Sequence, residues 1–197
     1  MEEKDRERIA DFLFEAGVLS KTPRSGFHFL GGGKQSVAEH INRTTYVGYA
    51  LAKMNGKCDV GKVLEMCLFH DFPEARTSDL NYVHQKYLKP NTEKAVEDMI
   101  KELSFGKDIE KIIKEFEKKE TVEALLTKDA DQLELLLCLK ELIDMGHGSA
   151  ETWVSAVVER LKTHEGKELA GTILKTRASH WWYDMDNKDW WVDRKIK

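Results

Sequence analysis

The chain lacks any apolar run approaching the roughly 20 residues that cross a bilayer, so no membrane-spanning helix is expected. Its first residues, MEEKDRERIADFLFEAG, are charged. They show no basic start, apolar block and small-residue cleavage site, so a cytoplasmic protein is expected. Cysteines number only three, Cys58, Cys67 and Cys138, with no C-x-x-C among them. A zinc knuckle or thioredoxin-type motif is therefore unsupported, and reduced thiols are expected, with Cys67 and Cys138 as small core residues. No long basic run exists and the formal net charge is -4, which argues against a partner of polymeric nucleic acid. One small anionic substrate stays open, because a metal ion and a few local cations can reverse the field of a pocket. Asn and Gln are scarce beside Lys and Glu, the drift of hyperthermophile proteins.

Prolines also number only three, and no alternating apolar–polar stretch reads as a strand. What is present is helical periodicity almost throughout. With 197 residues, 41% hydrophobic and 34% charged, the chain reads as one soluble domain with a substantial core. A first helix is expected over 3–16, with Ile9, Phe12, Leu13 and Ala16 on one face. A loop follows, KTPRSGFHFLGGGKQ, whose Gly31-Gly32-Gly33-Lys34 lacks the spacing of a phosphate loop and reads as a flexible connection or lid.

Ser36-x-x-Glu39 predicts a capping box opening a second helix to about Met54, with Val37, Ile41, Thr44, Val47 and Leu51 inward and Gly56 as its stop. A third helix spans about Val60 to His70, with Val60, Val63, Leu64, Cys67 and Leu68 inward, before Pro73. Residues 76–90 read as irregular or locally helical. Helices follow from Asn91/Thr92 to about Leu103 and around Ile109, Ile112, Ile113 and Phe116. The longest runs from about Glu120 to Met145, with Leu125, Leu135, Cys138 and Leu142 recurring. Two more cover about Ala150 to Thr163 and Glu165 to Trp182. The expected fold is an all-α bundle of about eight or nine helices in one domain. Trp181, Trp182, Trp190 and Trp191 in the tail are expected to pack onto the body or a second subunit.

Against this pattern, several ionisable residues fall on inward stripes. His40 shares a face with Val37, Thr44 and Val47, and His70 and Asp71 share one with Val63, Leu64 and Cys67. Asp131 lies in phase with Leu135 and Cys138, while Asp129 reads as exposed; Lys128, one turn before Asp131, could supply positive charge to a site there but reads rather as solvated. A buried lone carboxylate or imidazole is costly, so four of them on three helices call for pairing or a metal ion. Helical bundles build metal sites in this way. Two imidazoles and two carboxylates without thiolate suit Mn, Fe, Co, Ni or Zn and leave positions open for water and substrate.

The ordered set SVAEH (36–40), HDFPEA (70–75) and DADQLE (129–134) resembles the HD-domain phosphohydrolases, and within them the small 5'-deoxynucleotidase branch, over roughly residues 20–165. The resemblance implies a single all-α HD domain over 1–197, its core about 20–165 and a C-terminal helix and aromatic tail from 165 to 197. It implies His40, His70, Asp71 and Asp131 as ligands of a divalent transition metal ion. Glu74 is implied to orient or activate water, and Asp79 to contact the sugar or assist the leaving oxygen. Asp79 stands in Ser78-Asp79-Leu80, where the family often writes G-D-I. Arg24, in PRSGF, matches the family's P-R-x-G-W and is implied to grip phosphate, with Phe27 at the aromatic position. The implied activity is hydrolysis of nucleoside 5'-monophosphates, with a homodimer as the expected assembly. Other hydrolases of the superfamily, phosphodiesterases among them, and a non-catalytic metal-binding module are the competing readings.

Overall fold

The computed structural model describes residues 2–183, 191–192 and 194. In chain order its helices are α1 (Glu3–Ala16), α2 (Val37–Asn55), α3 (Val60–Phe69), α4 (Glu74–Thr77), α5 (Thr92–Ile100), α6 (Gly106–Lys118), α7 (Val122–Asp144), α8 (Glu151–Arg160) and α9 (His164–Lys175). Short 3-10 turns cover Gly17–Ser20, Ser25–Phe29, His84–Lys86 and Gly148–Ala150. Among the described residues there is no strand, only an isolated antiparallel bridge between Pro23 and Ser36. The all-α expectation holds.

Local chemistry sets the helix starts. Ser36 and Glu39 form the reciprocal capping box of α2, and Asp59, Asn91, Thr121 and Thr163 accept backbone N–H bonds at the starts of α3, α5, α7 and α9. Gly56 ends α2 in the left-handed region at φ 69°. The loop ahead of α2 is pinched at its base. Arg24 N–H donates to the Gln35 carbonyl at 2.8 Å and Val37 N–H to the Thr22 carbonyl at 2.9 Å.

The core has two main parts. One surrounds α7, where Leu126, Leu133, Leu136 and Leu139 are fully buried with Leu51, Val63 and Cys67. Each such leucine contributes about 1.5–3 kcal/mol by leaving water. The other joins α1, α2, α5 and α6 through Phe12, Val37, Ile41, Met99, Ile109 and Ile113, with the Phe72 ring tilted against that of Phe12, centroids 5.3 Å apart. The N-terminal turns of α2 serve the second cluster and its C-terminal half the first, so His40 stands at the seam. Gly48 on α2 lets α3 approach closely, because a Cβ there would collide with Cys67 Sγ.

Several expectations need correction. Leu13 and Leu68 are exposed, and Val60 and Leu64 are only half-buried; Met66 takes the inward place on α3, which faces α2, α6 and α7 together. Leu125 and Leu135 are half-buried rather than central, because α7 touches α2, α3, α6, α8 and α9 and has no single apolar stripe. Asp129 is fully buried, not exposed. It accepts bonds from Lys162 N at 2.9 Å, Thr163 N at 2.7 Å and Thr163 Oγ1 at 2.6 Å, fastening the α8–α9 turn to α7. The helix expected to run to Trp182, α9, stops at Lys175. Trp181 is 83% exposed and does not pack on the body. Trp182, Tyr183 and Trp191 pack on one another, and Trp190 lies outside the described residues.

Candidate metal centre

Three helices converge at the seam. His40 comes from the first turns of α2, His70 ends α3 and Asp71 follows it, and Asp131 comes from the middle of α7. Both imidazoles are oriented by their Nδ1 atoms. His40 Nδ1 donates to Glu134 Oε2 at 2.6 Å, and His70 Nδ1 donates to the Cys67 carbonyl at 2.8 Å. Each Nε2 is thereby aimed at the same point. The two Nε2 atoms lie 3.3 Å apart, and Asp131 Oδ1 is 3.3 Å from that of His40. One ligand atom each from His40, His70 and Asp131 lies within 4.8 Å of the others. Asp71 Oδ2 sits 3.3 Å from His70 Nε2 and 3.5 Å from His40 Nε2. The structure thus brings together all four residues singled out from the sequence.

This donor set fits a divalent transition metal. Two acceptor nitrogens and two carboxylates facing one another repel unless a cation stands among them, and outer hydrogen bonds from ligating histidines are the usual support of such sites. In the metal-free protein the gathered negative charge instead draws a proton onto His40 and the neighbouring cations inward. Burial disfavours charge on Asp71, yet His70, Arg24 and His40 hold it below the usual carboxylate range. Burial likewise opposes the charge of Asp131, which Lys128, His40 and His70 outweigh. His40 is pushed down by burial and by Arg24, but bonds to Asp131 and Glu134 and the Asp71 charge lift its pKa to about 9.

Glu74 opens α4 just beyond Pro73. Its Oε2 is buried with no hydrogen-bond partner. Burial, then the charges of Asp71 and Asp79, push its pKa up to about 10. Arg24 is nearly buried and turned inward, donating from Nη1 to Asp71 Oδ2 at 3.2 Å and lying 3.8 Å from Asp79 Oδ1. Asp79 is an anchor in this arrangement. Its Oδ2 accepts from Ser25 N at 2.7 Å and its carbonyl from Ser25 Oγ at 2.6 Å, fixing the loop that carries Arg24. Ser78, preceding it, has φ 60° and ψ 160°. Beside the cluster opens a cavity of about 260 Å³, lined among others by Arg24, Phe27, Asp79, Lys128, Tyr82 and Trp153. Glu74 borders a second cavity, of about 480 Å³, shared with His70, Asp71 and Asp79. An apolar groove of about 940 Å³ between α1, α2 and α3 lies away from these residues.

Two residues were misjudged or missed from the sequence. Lys128 is not freely solvated: its Nζ donates to Asp131 Oδ2 at 2.6 Å. Glu134 is 1% exposed and ties His40 to Arg43 and Gln35, whose Nε atoms donate to its Oε1 at 2.9 and 2.7 Å. Against its burial, the bond and charge of His40, then Arg43 and Gln35, hold its pKa down at about 2. Its only local signal was the i, i+3 spacing from Asp131 on α7.

Comparison with known proteins fits this arrangement. A Dictyostelium discoideum protein named 5'-deoxynucleotidase HDDC2 is 32% identical over 140 residues, covering 64% of this chain and 73% of its own. The Homo sapiens protein of that name is 23% identical over 186 residues, covering 87% of each chain. The structure of a conserved hypothetical protein from Pyrococcus furiosus superposes with a TM-score of 0.70 at 26% identity, covering 85% of this chain and 99% of that one. The model of the HD domain matches residues 16–172, with the His40, His70–Asp71 and Asp131 cluster inside the matched span, and the chain therefore belongs to the HD-domain family.

Proposed function

We propose that this protein is a metal-dependent phosphohydrolase that removes the 5'-phosphate from nucleoside 5'-monophosphates, deoxynucleotides included. The observation that carries the reading is the convergence of His40 Nε2, His70 Nε2 and Asp131 within 4.8 Å, beside a buried and unpartnered Glu74 oxygen. The names of the curated relatives support the substrate class.

His40, His70, Asp71 and Asp131 would hold the divalent ion, with Mn, Fe, Co, Ni and Zn all compatible with an N/O donor set. When bound, such an ion polarises a phosphoryl oxygen and lowers the pKa of a bound water. The chain supplies the rest. Glu74 Oε2 would orient the attacking water, and its carboxyl, held protonated in the metal-free site by burial and the charges of Asp71 and Asp79, would be free to accept the water's proton once a divalent ion offsets those charges, as the new P–O bond forms and the bond to the 5'-oxygen breaks. Arg24 grips the phosphate with a planar set of donors. Asp79 holds the Arg24 loop by Ser25 and keeps Oδ1 for a sugar hydroxyl or the proton reaching the 5'-oxygen. Phe27 walls the sugar side of the cavity.

Phosphate release from ribo- and deoxynucleoside monophosphates, measured with each metal and with a chelator, tests the reading. Inert protein across the panel would sink it. Release of nucleotide from a diester without inorganic phosphate would point to a phosphodiesterase instead.

We further propose that residues 1–197 act as one HD domain, in the cytoplasm, as a homodimer, without a polymeric nucleic-acid partner. The absence of any described helix long and apolar enough to cross a membrane is compatible with this, and the exposed apolar groove between α1, α2 and α3 supports association. Light scattering on the eluting protein reads the mass, and a monomer at all concentrations overturns the dimer.

A further inference from the structure

We propose that Lys128 is a second phosphate-gripping cation of this site, placed opposite Arg24, and that it leaves Asp131 for the phosphoryl oxygens when substrate enters. The proposal rests on the phosphohydrolase reading above.

Lys128 stands one helical turn before Asp131 on α7, with Nζ 2.6 Å from Asp131 Oδ2. Its side chain is 30% exposed, and it lines the cavity that also holds Arg24, Asp71 and Asp131. The two oxygens of Asp131 face different partners. Oδ1 looks toward His40 Nε2, whereas Oδ2 takes Lys128 and the Gln132 amide at 3.1 Å. Asp131 therefore keeps the Gln132 amide when Lys128 departs, and a bound divalent ion would take over the charge balance that the lysine provides.

Charge counting gives the reason for a second cation. A phosphate monoester is largely dianionic near neutral pH. A divalent ion is cancelled by Asp71 and Asp131, and Arg24 is offset by Asp79 at 3.8 Å. The remaining cation of the cavity, Arg160, is tied to neutral groups of the same cavity wall, Tyr82 and Gln132. Its Nη1 donates to the Tyr82 hydroxyl at 2.6 Å, and its guanidinium lies over the Tyr82 ring at 5.3 Å. Lys128 is the cation that stands directly beside the ligand Asp131, where the phosphoryl oxygens would lie, and its flexible stem suits it to change partners.

The test uses inorganic phosphate as probe, titrated by calorimetry into metal-saturated full-length protein, with Lys128→Met and Lys128→Arg beside the wild type. Metal affinity and thermal midpoint are measured in parallel. Lys128→Met should weaken phosphate binding about tenfold or more, as expected for one charge-assisted hydrogen bond, and Lys128→Arg should restore most of it. Metal affinity should stay near the wild-type value. Unchanged phosphate affinity in Lys128→Met overturns the proposal. So does a loss that disappears once the variant is fully loaded with metal, or a wild type that binds no phosphate. Because the measurement needs no turnover, it is separate from the phosphate-release panel that judges the parent reading.

Discussion

Glu134 Oε2 lies 2.6 Å from His40 Nδ1, and this contact decides which nitrogen of the imidazole faces the cluster. Removing it leaves His40 free to adopt the other tautomer and leaves Arg43 without its buried acceptor. Glu134→Ala should lower metal affinity about 10- to 100-fold, with Glu134→Gln in between because its amide oxygen still accepts from Nδ1. Competition against a chromophoric chelator measures this. Equal affinity in all three proteins would show that the bond orients nothing.

Glu74 should give the metal-free protein an unusual pH dependence. Its folded pKa, about 10, stands above the ordinary carboxylate value of 4.5. The folded state then binds more protons than the unfolded one between those values. Its stabilising contribution is full below about pH 4.5 and declines as pH rises toward 10, by at most about 1.4 kcal/mol per pH unit. Glu74→Gln should flatten that part of the thermal midpoint profile while lowering phosphate release by about 100-fold or more. A profile parallel to the wild type refutes the first half, and retained turnover refutes the second.

Ser78 occupies φ 60° with ψ 160°, a conformation that costs an L-residue about 1–3 kcal/mol. Glycine reaches it without a Cβ clash but adds freedom to the unfolded chain. Ser78→Gly should therefore raise stability by about 1 kcal/mol and leave the Asp79–Ser25 anchor intact. Urea unfolding provides the check, with a lower midpoint as the contrary result.

Asp129 and Asp131 should separate stability from chemistry although they are two residues apart. Asp129→Ala strips acceptors from Lys162 and Thr163 and should cost about 2–4 kcal/mol while the folded protein still binds metal. Asp131→Ala should abolish metal-dependent turnover. Denaturant melts paired with metal titrations distinguish them, and the reverse pattern would overturn both assignments.

The contrast between α2 and α7 explains what could be read in advance. α2 has one buried side, so Val37, Ile41, Thr44, Val47 and Leu51 announced its phase and placed His40 on the inner face. α7 is enclosed by five helices, and a surrounded helix carries no polar side from which to count. Leu125 and Leu135 were therefore overvalued, and Asp129 was placed outside although backbone donors of the α8–α9 turn satisfy it. The cluster of His40, His70, Asp71 and Asp131 was legible because inward ionisable residues are conspicuous on apolar stripes. Glu134 was not, since its meaning depends on His40, Arg43 and Gln35, distant in sequence and close only after folding. Arg24 came forward only through the motif around it, because loop arginines carry no periodic signal.

The pinched base of the loop before α2 has a consequence for how this chain can vary. The Arg24–Gln35 and Thr22–Val37 bonds hold both ends of the loop together. Arg24 leaves one end of the pinch and His40 stands one turn beyond the other. Leu30 is fully buried in the core and Phe27 packs against that core, so it is the stretch 31–34 that can be lengthened or shortened with little leverage on either side chain. Each doubling of such a loop costs only about 0.6 kcal/mol in closure entropy. The tip is a place where selectivity can be rewritten while the spacing between phosphate grip and metal cluster stays the same.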